Sequence, residues 1–82
     1  MRAVEGMHVE WVDDEAVALD PATGRLHYLN PPAALFLALV LEHGYQRAIA
    51  EFRSAYANEP DFDEEFNQMT DQMTEGGLLV DD

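Results

Sequence analysis

The segment Thr23-Gly24-Arg25-Leu26-His27-Tyr28-Leu29-Asn30-Pro31-Pro32-Ala33-Ala34-Leu35-Phe36 decides the fold, because it holds a turn exit, a strand and a helix start in unbroken succession. Gly24 can adopt the positive φ that closes the turn Asp20-Pro21-Ala22-Thr23-Gly24, in which Pro21 presets the φ of an earlier position. Arg25 to Leu29 then reads as a short strand. Asn30 in front of Pro31-Pro32 is a strong helix start. The Asn side chain accepts a backbone N–H that the first turn leaves unpaired, and proline has no N–H to leave unpaired there.

Upstream, Met7, Val9 and Trp11 alternate with His8 and Glu10, and Asp13-Asp14 supplies a tight turn before Ala16-Val17-Ala18-Leu19. This predicts a hairpin, extended by the strand at Arg25 to Leu29 into a three-stranded antiparallel meander whose last strand has an unpaired edge. Downstream, a helix is predicted from Pro31 to about His43, burying Leu35, Phe36, Leu39 and Val40 and stopping at Gly44. Tyr45, Ala48, Ile49, Phe52 and Tyr56 repeat with helical spacing and give a second helix ending near Asn58-Glu59-Pro60. A third helix begins near Asp61 or Asp63, where acids suit a helix N-terminus, turns Phe62, Phe66, Met69 and Met73 inward, and ends at Gly76-Gly77. Leu78-Leu79-Val80 remains as an apolar return that can pack as a strand or wing. The predicted architecture is α+β, a winged helix-turn-helix with a three-stranded antiparallel sheet followed by three helices, in a single domain over residues 1–82.

Charge narrows the function classes. Seventeen acidic residues face four arginines and no lysine, a formal charge of −13. Nucleic-acid affinity comes mainly from Lys and Arg neutralising phosphates, so DNA, RNA and anionic membrane surfaces are poor partners. From Glu59 to Asp82 there are nine acids and no Arg, Lys or His, so the third helix would bring only negative charge to a major groove. Apolar residues are 48% of the chain, too many for a disordered acidic tail. The longest apolar stretch, Ala33 to Leu41, falls far short of the roughly 20 residues that span a bilayer. No signal peptide is visible, and a cytoplasmic location is expected.

Catalytic constellations are not evident. There is no cysteine, and His8, His27 and His43 fit no metal-ligand spacing, so they read as separate surface or edge histidines. Ser54 is the only serine and lies in mid-helix without elbow glycines, while Asp63-Glu64-Glu65 reads as a helix turn facing water. A protein that is not an enzyme and carries no cofactor and no metal is expected.

The residues also carry a resemblance. Glu15-Ala16-Val17-Ala18-Leu19-Asp20, then Thr23-Gly24-Arg25, then Leu29-Asn30-Pro31 and Ala33-Ala34-Leu35-Phe36 resemble the PqqD-like family, named for a pyrroloquinoline quinone biosynthesis protein. The C-terminal series Glu65, Phe66, Met69, Met73 and Gly77-Leu78-Leu79 is similar as well, so the likeness runs from about Val9 to Val80. This resemblance implies a RiPP recognition element, a peptide chaperone of natural product biosynthesis that holds the leader of a ribosomally made precursor peptide. Its partner is a separate modifying enzyme, such as a radical SAM protein or a cyclase with its leader peptidase. The resemblance implies a leader added as an extra strand at Arg25, Leu26, His27, Tyr28 and Leu29, facing Glu65, Phe66, Met69, Thr70 and Met73 of the third helix.

Read from spacing alone, Phe66, Met69, Met73 and Leu29 are core positions more often than pocket ones, whereas Leu26, Tyr28 and Thr70 flank that stripe and are the natural groove candidates. Glu65 stands where the family commonly has Asp, and Thr70 where it is usually aliphatic. A monomer or weak dimer is expected. The competing reading is an acidic winged-helix adaptor or regulatory protein, including a DNA-mimicking inhibitor, that binds another protein and no leader.

Overall fold

In a computed structural model that describes residues Met1–Asp82, eight elements follow in the order β1 (Arg2–Ala3), β2 (His8–Val12), β3 (Glu15–Asp20), β4 (Arg25–Leu29), α1 (Pro31–His43), α2 (Tyr45–Ala55), α3 (Phe62–Glu75) and β5 (Leu79–Val80). The fold is α+β. β2, β3 and β4 form the predicted antiparallel meander, and β1 pairs with β5 in a separate two-stranded ribbon. The sequence reading found the return at Leu78 to Val80 but not its partner. Two residues are too few to alternate visibly, and Arg2–Ala3 becomes a strand only because Leu79 and Val80 lie opposite it.

Each turn is closed by the chemistry of its own residues. Asp13 takes φ 58° between β2 and β3, a conformation that Asp tolerates better than most residues. After β3 the Asp20 carboxylate accepts from the Ala22 N–H at 3.0 Å and from the Thr23 hydroxyl at 3.1 Å, while the Gly24 N–H, at φ 74°, donates to the Asp20 carbonyl at 2.8 Å. These bonds fix where β4 begins. Where it ends is fixed by Asn30, whose side-chain oxygen accepts from the Ala33 N–H at 3.1 Å as the N-cap of α1.

Sheet register separates two faces. Ala16 opposes Leu29 and Ala18 opposes His27, so Ala16, Ala18, His27 and Leu29 point toward the helices. Val17 opposes Tyr28 and Leu19 opposes Leu26, which places those four on the outer face. The two small alanines let α1 sit close on the sheet, and Ala16, Ala18, Ala34, Phe36 and Leu37 are all essentially inaccessible to water. Phe36 is the centre of the aromatic core. Its ring meets Phe66 at 5.2 Å and 88° and Phe52 at 5.3 Å and 70°, both edge-to-face geometries.

One predicted core position is corrected. Leu35 is 36% exposed, and Leu37 is buried in its place beside Ala34, Phe36 and Val40. α1 is apolar on nearly every side, so its spacing does not single out one stripe. No helix is long and apolar enough to cross a membrane.

α3 ends in a paired cap. Gly77 N–H donates to the Thr74 carbonyl at 3.1 Å and Leu78 N–H to the Met73 carbonyl at 2.9 Å, with Gly77 at φ 79°. This is the Schellman arrangement, and it brings buried Leu78 back over buried Met73. The chain is thereby turned into β5, where Val4 N–H donates to the Leu78 carbonyl at 2.9 Å.

Candidate peptide-binding groove

β4 hydrogen-bonds to β3 on one side and to no strand on the other. In an antiparallel strand, alternate residues aim both N–H and C=O at the neighbour and the remainder aim them away, so β4 carries a row of unpaired donors and acceptors. Beside this edge runs a groove of about 870 Å³ bounded by β4, the start of α1, the end of α2 and one flank of α3. Its volume is within the range of ligand-holding clefts.

Buried side chains of Leu29, Phe52, Phe66, Met73 and Leu78 border the groove, and half-buried Tyr56, Phe62 and Met69 rise along it. Phe62 stacks on Phe66 at 5.6 Å and 17°, and the Arg53 guanidinium lies over the Phe62 ring at 4.9 Å while bonding Asp63 at 3.0 Å. Gln68, Gln72, Glu59 and Glu65 supply polar groups to the lining. Met69 is suited to such a place, since its unbranched thioether adapts to differently shaped apolar anchors.

Eight of the ten residues expected at the site line this groove: Leu26, His27, Tyr28, Leu29, Glu65, Phe66, Met69 and Met73. Arg25 and Thr70 do not. Arg25 opposes Asp20 at the turn end of β4, short of the groove. Thr70 is buried, and its hydroxyl donates back to the carbonyls of Phe66 and Asn67, both at 3.1 Å. At about 100° per residue, Met69 and Glu65 lie on one flank of the Phe66–Met73 stripe and Thr70 lies on the other. Spacing identified a flanking position but not which flank meets β4.

Leu26 and Tyr28 also differ from the expectation. By register their side chains share the outer face of the sheet with Val17 and Leu19, and they are 69% and 66% exposed. They border the groove as parts of the open strand, while the side chains of His27 and Leu29 turn inward. The Tyr28 hydroxyl donates to the Glu15 carboxylate across the sheet. That bond raises its pKa above the usual phenol value, with lesser contributions from lost hydration and from the charges of Glu15 and Asp14.

His27 is the least settled side chain of the site. Its Nε2 is buried without a hydrogen-bond partner, and its ring stands against Gly76 at the end of α3. A Cβ built on Gly76 falls 3.0 Å from His27 Cε1 and 3.1 Å from Nδ1, so glycine is what allows β4 to approach α3 this closely. The other histidines are elsewhere: His8 bonds Glu10 at 2.6 Å and His43 faces Glu51 at 3.7 Å. No three His, Asp or Glu side chains converge in a metal-binding group.

Several lining residues were missed or read only as core. Tyr56 and Phe62 were visible as inward-facing helical positions, yet nothing in their spacing says that they face a cleft. Glu59, which follows α2, and Gln68 and Gln72 on α3 gave no signal. Compared with known proteins, the chain matches no protein-family model, no curated protein and no solved structure.

Proposed function

We propose that the chain is a PqqD-like winged-helix recognition element that binds the leader of a ribosomally synthesised precursor peptide by strand addition to β4. It performs no catalysis, carries no cofactor, works in the cytoplasm, and presents the bound peptide to a separate modifying enzyme. A radical SAM protein or a leader peptidase is the kind of enzyme the resemblance implies. The winged-helix assignment takes as the wing the ribbon that β5, following α3, forms with β1 from the start of the chain.

The observation that carries this reading is the free edge of β4 lying beside an apolar groove. Proteins usually blunt an exposed edge with charged side chains, proline or a bulge, and β4 has no proline or bulge and only one charged residue, Arg25 at its turn end. Main-chain hydrogen bonds to the added strand give affinity, and pockets for alternate side chains give selectivity. Holding the leader raises the effective concentration of the remainder of the precursor at the enzyme.

A second reading, an acidic adaptor that binds a folded partner, draws on the outer sheet face, where Val12, Leu26 and Tyr28 are exposed together. Short peptides encoded beside the gene, titrated into labelled protein and followed by amide spectra, separate the two. Leader binding predicts shifts along Arg25 to Leu29 and along the Glu65 to Met73 flank of α3. Shifts confined to the outer sheet face, or none in folded protein, overturn the leader reading.

A further inference from the structure

The only carboxylates in the lining are Glu59 and Glu65, and neither takes part in an ion pair. No arginine borders the groove. The nearest in sequence to Glu59, Arg53, is engaged by Asp63 and by the Phe62 ring. The surrounding field has the same sign, with a formal charge of −13 on the whole chain. The groove is therefore an apolar channel with two uncompensated carboxylates on its lining.

We infer that its occupant is a cationic extended peptide, with apolar anchors at alternate positions bracketed by Lys or Arg that reach Glu59 and Glu65. This rests on the strand-addition reading and adds the chemical class of the peptide. In a strand, successive side chains point to opposite sides, so anchors entering between Met69 and Leu29 take every second position, and the Lys or Arg that reach Glu59 and Glu65 stand on that same groove-facing side, before and after the anchors. Lys and Arg can lay their methylene stems on the apolar walls while the charged head reaches a carboxylate. An acidic peptide of the same shape meets like charge on the lining and in the wider field, which slows its encounter as well as weakening its hold.

The test uses two matched synthetic peptides, with Val and Phe at successive groove-facing positions, Thr at the outward positions, and either Lys or Glu at the groove-facing positions that bracket the anchors, titrated by fluorescence anisotropy into the whole chain. The Lys peptide is expected to bind about tenfold tighter or more at low salt, and the advantage should shrink as screening increases. The double variant Glu59→Gln/Glu65→Gln should weaken the Lys peptide about three- to tenfold, whereas Glu42→Gln, which makes a charge change on α1 away from the groove, should shift it less than about twofold. Equal binding of the two peptides, or equal loss in the Glu42 control, overturns the inference. Met69→Glu distinguishes the levels of failure. If it blocks both peptides while they bind equally, only the charge class falls; if neither peptide binds wild-type protein, strand addition falls with it.

Discussion

Replacing Gly76 with alanine tests how tightly α3 is held against β4, because two opposed effects meet at that position. The backbone there is right-handed helical, φ −76° and ψ −7°, so alanine adds no backbone strain. Reduced freedom of the unfolded chain alone would stabilise the protein by about 0.4–1 kcal/mol. Against this, the new methyl lies 3.0 Å from His27 Cε1 and 3.1 Å from Nδ1, well inside the ~3.5–4.0 Å of an ordinary carbon contact. The Gln72 carbonyl at 3.3 Å limits retreat on the helix side. Moving the imidazole means moving a ring seated on β4, and such overpacking typically costs about 1–3 kcal/mol. At the midpoints of the two ranges the steric effect wins, and Gly76→Ala should destabilise by about 1.3 kcal/mol.

Urea unfolding measures this directly. With a slope near the low end for small proteins, about 1 kcal/mol per molar urea, the midpoint should fall by about 1 M or more. In a His27→Ala background the obstacle is gone, and the same substitution should stabilise by about 0.4–1 kcal/mol. The sign reversal is the signature, and it yields a coupling of about 1–3 kcal/mol between the two positions. A shift of the same sign and size in both backgrounds would refute the close approach of His27 to Gly76.

Other expectations concern the cap, the strand and the turn. Asn30→Ala should cost about 1 kcal/mol by leaving the Ala33 N–H without its acceptor, seen as a lower urea midpoint, while Asn30→Gly should cost only a few tenths. Gly77→Ala places a side chain at φ 79° and should destabilise by about 1–2 kcal/mol, in contrast to the same change at an ordinary helical glycine. Tyr28 should titrate above its ordinary value in an ultraviolet absorbance titration, and Glu15→Gln should move it back toward about 10. The sign follows from the raised pKa: the Tyr28–Glu15 contact supports the fold at neutral pH and is lost as pH rises through the elevated phenol range. A Tyr28 titration unmoved by Glu15→Gln would contradict that assignment.

Much of the fold is legible because its determinants are local. The Asp20 to Gly24 turn, the Asn30 cap and the glycine end of α3 each act within about one turn of chain, so residue types a few positions apart identify them. What depends on long-range packing is less visible. Leu35 and Leu37 exchange roles because α1 is apolar all round, and only its contact with the sheet selects the buried side. β1 exists because of β5, at the far end of the chain.

The site shows the same division. The open strand and the Phe66, Met69 and Met73 stripe are readable from alternation and helical spacing. The side of α3 that faces β4, which separates Met69 from Thr70, is fixed by how Phe36, Phe52 and Phe66 interlock. Leu26 and Tyr28 point away from the groove because their register partners, Leu19 and Val17, share the outer face. The packing of His27 on Gly76 joins two segments far apart in sequence, and no pattern in either one announces it.

Hydrogen exchange at the five amides of Arg25–Leu29, in free protein and with a bound extended peptide, bears most directly on strand addition. In the free protein the amides aimed at β3 should be protected and the alternate ones should exchange rapidly. On binding, the fast set should become protected while the slow set stays as it was. Fast amides that remain fast in the peptide complex would contradict strand addition at β4.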